Sequence, residues 1–184
     1  MLQALRIRDF RLLWGARLVS SLGSWLLVIA VPAHVFLLTG SVMATGLTMV
    51  AEYLPSVALG LIAGVAADRW DRRHLMLATD IFRAVALLVM LFANNRDTVW
   101  VVYLALATES TGTVLFNPAA QAHTPVVVGT GRLLSSANSL NAATDGTVRL
   151  VGGPLGALLL AVAGFHSLIL LDAGFTILFH AFNL

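Results

Sequence analysis

Neither cysteine nor lysine occurs among the 184 residues. The first absence excludes disulfides, thiolate metal sites and cysteine nucleophiles. The second leaves arginine to supply all 11 basic side chains. Charge itself is scarce, at 11% of residues, against about 25% in an ordinary soluble domain. There is no basic patch with interleaved aromatics, so nucleic acid is not an expected partner. The 5 histidines are scattered without metal-ligand spacing, so neither a metal nor another cofactor is expected. No G-x-S-G nucleophile motif occurs, and Glu52 and Glu109 do not form the paired aspartates of an aspartyl protease, so the chain does not read as an enzyme.

Apolar residues are what the chain has in abundance: 59% are hydrophobic, and the mean hydropathy is +0.90. A chain this apolar cannot cover its own core with polar surface, so lipid is its expected solvent. Six runs approach or exceed the roughly 20 apolar residues that a membrane helix needs. They cover about 12–38, 42–67, 75–93, 99–122, 136–163 and 167–184. Proline and glycine inside them do not argue against helices, because membrane helices tolerate both. The first run is too long for the core of a signal peptide and no cleavage site follows it, so no cleavable leader is expected. The expected fold is an all-α integral membrane bundle of six transmembrane helices, forming a single domain over 1–184.

Arginine sets the expected orientation. Arg6, Arg8, Arg11, Arg17, Arg69, Arg72, Arg73 and Arg132 fall on one side of such a bundle, and Arg96 lies in a loop on the other. By the positive-inside rule, the N-terminus, the 68–73 loop and the 123–132 stretch are cytoplasmic. The protein is then a multi-pass component of the plasma membrane. Trp14, Trp70, Trp100 and Tyr103 lie near span ends, as an interfacial aromatic belt requires. Trp25 lies deep in the first span, where it either packs or faces lipid, the favoured reading, or lines a cavity.

Charges inside the spans carry the sharper chemistry. Glu52, Glu109, Asp145 and Arg149 fall near mid-span, where an aspartate or arginine costs about 2.5–3.5 kcal/mol to insert. They must pair or face a hydrated cavity. Asp145 and Arg149 are four apart on one helix face and are expected to neutralise each other. Glu52 and Glu109 have no local partner. Burial favours the neutral form of a carboxyl group, so either is a candidate proton-coupling or cation-recognition site, with Arg149 as countercharge. The alternative is a structural interhelical salt bridge. Asp80 and Arg83, three apart, read as a structural pair near the cytoplasmic end of the third span. Asp172 is expected to be wetted at the outer end of the sixth. Pro32, Pro55, Pro118 and Pro154 are expected to kink their helices. Glu52 with Pro55 has a loose counterpart in Asp145 with Pro154, which suggests a 3+3 repeat, although the spacings differ.

The loop Gly64-Val-Ala-Ala-Asp68-Arg69-Trp70-Asp71-Arg72-Arg73 resembles the signature between the second and third helices of the major facilitator superfamily. Asp9-Phe10-Arg11-Leu12-Leu13-Trp14 and Ser21-Leu22-Gly23-Ser24-Trp25 resemble the start of its macrolide-efflux and enterobactin-exporter-like branch. Phe116-Asn117-Pro118-Ala119-Ala120-Gln121-Ala122 is similar to the end of that branch's fourth helix. Ser136 to Asn141, Arg149, and Gly152-Gly153-Pro154-Leu155-Gly156 are similar to its fifth, and Leu171-Asp172-Ala173 to its sixth. The chain departs from the pattern at Asp71, where many members have glycine, at Ala120, where the branch usually has arginine, and at Ser24, which replaces a frequent acid. Arg149 stands where the fuller antiporter spacing has glycine.

The resemblance implies half of a twelve-helix fold, the N-terminal one, with the C-terminal half absent. It implies a conformational latch at Gly64, Asp68, Arg69, Arg72 and Arg73. There Asp68 would accept hydrogen bonds from Arg72 or Arg73 and face a helix N-terminus of the opposite half. Gly60 and Gly64 form a G-x-x-x-G packing face, and Gly152, Gly153, Pro154 and Gly156 a packing or gating segment. The implied function is export of small hydrophobic or amphiphilic compounds by alternating access, coupled to protons. The implied partners are the bilayer, the substrate, protons and a second six-helix bundle. The other reading is a truncated, non-transporting fragment or a half-transporter subunit.

Overall fold

The computed structural model describes residues 2–183, and their side chains except those of Leu2, Ala16, 66–69, Arg72, Arg73 and 177–183. A short 3₁₀ turn, Leu2–Arg6, precedes helix α1, Arg8–Thr39. Helix α2 is Val42–Arg69 and α3 is Arg72–Val89, which a 3₁₀ turn extends through Met90–Phe92. A second 3₁₀ turn, Arg96–Thr98, leads into α4, Val99–Val128. The remaining run, Arg132–Asn183, breaks at Gly164, where φ is 79° and ψ is 167°. Only a residue without a Cβ reaches that conformation cheaply. The break separates α5 (132–163) from α6 (165–183), so the chain is an all-α bundle of six helices.

Sequence and geometry agree at the helix ends. Asp71 accepts a hydrogen bond from the His74 backbone N–H at 2.9 Å and caps α3. The residue that departs from the usual loop pattern therefore has a local structural use. At 32 residues, α1 runs about 48 Å at 1.5 Å per residue, more than the about 30 Å of bilayer hydrocarbon. Helix α4 differs from expectation. It continues to Val128, past the expected end near Ala122, and only 129–131 separate it from the next helix. Pro118 and Pro125 lie inside it, and the Thr124 hydroxyl donates to the Ala120 carbonyl at 3.1 Å. The polar stretch that reads as a loop is mostly helix.

Small residues let α1 and α5 close on each other. A Cβ on Gly152 would lie 2.5 Å from the Trp25 Cβ, one on Gly153 2.8 Å from Ile29 Cδ1, and one on Gly156 would enter the Leu26 backbone. This is how membrane helices approach when apolar burial gives no advantage over lipid. Helix α2 is tied to α4 by Tyr103, whose hydroxyl donates to the Ala44 carbonyl at 2.8 Å, and by Ser110, whose hydroxyl donates to the Glu52 carbonyl. Val31, Leu87, Met90, Val102, Leu168 and Ile169 form a shared core of α1, α3, α4 and α6 with the 3₁₀ turn after α3. Gly60 and Gly64, in contrast, have nothing within 4 Å of a built Cβ. The G-x-x-x-G face expected to pack is open in this bundle.

Large apolar side chains also stand on the outside. Leu61 is 90% exposed, Val57 84% and Val162 78%. Exposed apolar side chains in this number belong in a membrane or against a partner, not in water. Five helical runs among the described residues are long and apolar enough to cross a bilayer, and one of them contains the Gly164 break. The chain is a multi-pass membrane protein.

Candidate functional site

A cavity of about 210 Å³ opens among α1, α2, α4 and α6, with Leu87 of α3 and Met90 of the 3₁₀ turn after it closing one wall. Its walls are largely Leu, Val and Met side chains, but three carboxyl groups reach it: Glu52 from α2, Glu109 from α4 and Asp172 from α6. Ser24, Trp25, Thr48, Tyr53 and Thr113 add aromatic and hydroxyl surface. Trp25 therefore lines a cavity, the less favoured of the two placements open to it in the sequence.

Beneath the cavity lies one arginine. Arg83, on α3, is 3% exposed. Its Nε donates to Glu109 Oε1 at 2.8 Å, one terminal nitrogen to Ser24 Oγ at 3.0 Å, and the other to Asp80 Oδ1 at 3.4 Å. The Thr113 hydroxyl donates to the same Glu109 oxygen at 3.0 Å. The absence of a Cβ on Gly112 makes room for the arginine stem, because a built Cβ would sit 2.5 Å from Arg83 Cγ. Charge-assisted bonds of this density are what a buried guanidinium needs.

Two carboxylates differ from Glu109. Glu52 is half-buried, faces the cavity, and its carboxylate has no hydrogen-bond partner among the described residues. Asp172 is 1% exposed, and both of its oxygens lack a hydrogen-bond partner among the described residues. It packs so closely on α1 that a Cβ on Gly23 would collide with its carboxylate. The expectation of a wetted aspartate at a helix end is overturned. The α1 backbone at Gly23 covers it, and only the cavity opens beside it.

The family model described as "transmembrane secretion effector", of the major facilitator superfamily, matches residues 1–181. The chain belongs to the major facilitator superfamily. It is 29% identical over 163 residues to an uncharacterized MFS-type transporter, YfiS, of Bacillus subtilis, a match covering 88% of this chain and 38% of that protein. It is 28% identical over 165 residues to macrolide efflux protein A of Streptococcus pyogenes, covering 89% of this chain and 40% of that one. A macrolide efflux protein A of Enterococcus faecalis is 29% identical over 135 residues, covering 72% and 41%. The chain spans about two fifths of the length of these relatives. No solved structure matches it.

Within this superfamily bundle the expected site residues separate. Glu52 and Glu109 come together at the cavity; Asp145 and Arg149 do not line it. Asp145 pairs with Arg17 of α1 at 3.0 Å rather than with Arg149, and the neighbouring Trp14 indole donates to Thr144 at 2.9 Å. Helical spacing aligned Asp145 with Arg149, but a guanidinium on the adjacent helix took the carboxylate. Arg149 stacks over the Trp25 ring, 5.5 Å from its centroid, so the countercharge of Glu109 is Arg83. Glu109 thus has the partners that the sequence did not supply. Of the residues expected to form a latch, Gly64 is described, whereas the side chains of Asp68, Arg69, Arg72 and Arg73 lie outside the described residues. Gly152, Gly153 and Gly156 form the α1–α5 seam, and Pro154 lies inside the same helix. The sequence reading missed Arg83 and Asp172 as members of the site. The signal for Arg83 was present: an arginine inside an apolar span with an acid one turn before it.

Proposed function

We propose that the chain is the N-terminal half of an exporter of small hydrophobic or amphiphilic compounds, working by alternating access and coupled to protons. The observation that carries this reading is the interior cavity with Glu52, Glu109 and Asp172 on its wall, in a chain whose relatives include proteins named for macrolide efflux. Superfamily sites of this kind form near the midplane, where one bundle meets another. The exposed apolar surface around Val57 and Leu61 supports a second bundle as partner. Glu52 and Glu109 are the proposed coupling or substrate residues. Gly64, Asp68, Arg69, Arg72 and Arg73 form the proposed latch. The arginine distribution supports a cytoplasmic N-terminus in the plasma membrane.

The test is retention of a fluorescent amphiphile by cells expressing the chain. Export predicts lower retention than in control cells, restored by a protonophore, and restored as well by Glu52→Gln or Glu109→Gln. Retention unmoved by either substitution would leave the carboxylates as structural groups. A second reading, a half-transporter subunit inert alone, is favoured by the two-fifths coverage of the relatives. It predicts no export by the chain itself and export when a second six-helix bundle is co-expressed.

A further inference from the structure

We propose that the chain binds the headgroup of an anionic phospholipid where its N-terminal 3₁₀ turn meets the start of α5. Arg6 ends that turn, Arg8 and Arg11 lie in the first turn of α1, and Arg132 opens α5. All four are exposed, and none forms an ion pair among the described residues. Asp9, also exposed, is the one acid within 2–11 and 123–140. Positive charge is therefore in excess at this corner of the bundle.

Packing gathers these arginines from two parts of the chain. Ala4 and Phe10 are fully buried and share a core with Val128, at the end of α4, and with Ala137 and Leu140 on α5. Leu5 and Ile7 pack on the same core. The apolar side chains of the N-terminal segment thus hold it against α5, and its arginines stay outside. Val128 belongs to that core and Leu134 packs on it, so Arg132 is bracketed by residues that touch the N-terminal segment's own cluster.

The depth fits a headgroup. Arg11 directly precedes the apolar run that begins at Leu12, and Arg132 lies one turn before the run that begins at 136. At that level the acceptors within reach of a guanidinium are lipid phosphates, whose oxygens match its fork of donors. Each basic residue near an anionic membrane surface strengthens binding by about fivefold. A zwitterionic lipid brings an ammonium with its phosphate and leaves the excess charge uncompensated, whereas an anionic lipid offsets it. The lipid site is independent of export: a chain that exports nothing would still carry it.

The probe is phosphatidylglycerol, compared with phosphatidylcholine by native mass spectrometry of the purified 184-residue chain in a neutral detergent. Phosphatidylglycerol should bind at least about tenfold tighter. Arg132→Gln should lower that ratio by about fivefold, and Arg6→Gln, Arg8→Gln and Arg11→Gln together should remove most of it. Arg96→Gln, exposed in the turn before α4, should leave it unchanged. Equal affinity for the two lipids overturns the proposal. So does a ratio that neither the triple variant nor Arg132→Gln lowers, or one that Arg96→Gln lowers as far as Arg132→Gln does. Gel filtration checks that each variant is monodisperse, and where the triple variant fails to fold, Arg132→Gln on a separate helix decides the location. Washing the immobilised chain with inorganic phosphate should strip no more phosphatidylglycerol than chloride does at equal ionic strength. Selective stripping by phosphate would make this a free-phosphate site and overturn the lipid assignment.

Discussion

From α3, Arg83 reaches Glu109 on α4 at 2.8 Å, Asp80 one turn back at 3.4 Å and Ser24 on α1 at 3.0 Å. Removing a buried cation strands its acids, and such losses run to about 3–5 kcal/mol. Arg83→Met should therefore destabilise the chain by that order in detergent unfolding, and Glu109→Gln added to it should recover part of the loss. An Arg83→Met variant as stable as the parent would remove the cluster from the structural account. The Arg17–Asp145 pair is the contrasting case. Its side chains are 23% and 46% exposed, and exposed pairs are worth about 0–1 kcal/mol. Arg17→Ala should cost no more than about 1 kcal/mol in the same assay. The two pairs also show what was legible in the sequence. Helical spacing finds partners on one helix, so Asp80 with Arg83 was readable. The partners of Glu109 and Asp145 lie on other helices, and no spacing rule selects between Arg83, Arg17 and Arg149 before the helices are packed.

At the scale of elements, the six apolar runs were legible because insertion in lipid demands length and apolarity, and both are written locally. Helix ends were less so. The end of α4 was obscured because the apolar run gives way to a more polar stretch after Ala122 while the helix continues, with Pro118 and Pro125 inside it. Glycine patterns were legible as candidate seams but not as actual ones. Gly156 meets the Leu26 backbone, whereas Gly60 meets nothing. The contrast gives a paired prediction. Gly156→Leu must push α5 off α1 and should destabilise the chain by about 1–3 kcal/mol, the usual scale of overpacking. Gly60→Ala adds a methyl in open space and improves helix propensity, so the melting temperature in detergent should hold or rise. A loss at Gly60 as large as that at Gly156 would mean that α2 packs there against something this bundle does not contain.

At the scale of the whole molecule, the helices hang together through an interior that is charged at one cluster, while many large apolar side chains stand on the exterior. That arrangement leaves orientation to the ends of the helices, where most of the arginines are. Asp97 and Thr130 flank α4, whose 30 residues span about 45 Å. Both are exposed, so they sample opposite faces of the membrane. The lack of cysteine makes the test free of background. In Asp97→Cys, a membrane-impermeant maleimide should label intact cells. In Thr130→Cys, labelling should require permeabilisation if Arg132 and the N-terminal arginines keep that face in the cytoplasm, as the positive-inside rule predicts. The reversed pattern would invert the bundle. It would place the 68–73 loop outside the cell, away from the cytoplasmic ends of a partner bundle, and the latch proposed for Asp68, Arg69, Arg72 and Arg73 would fall with it.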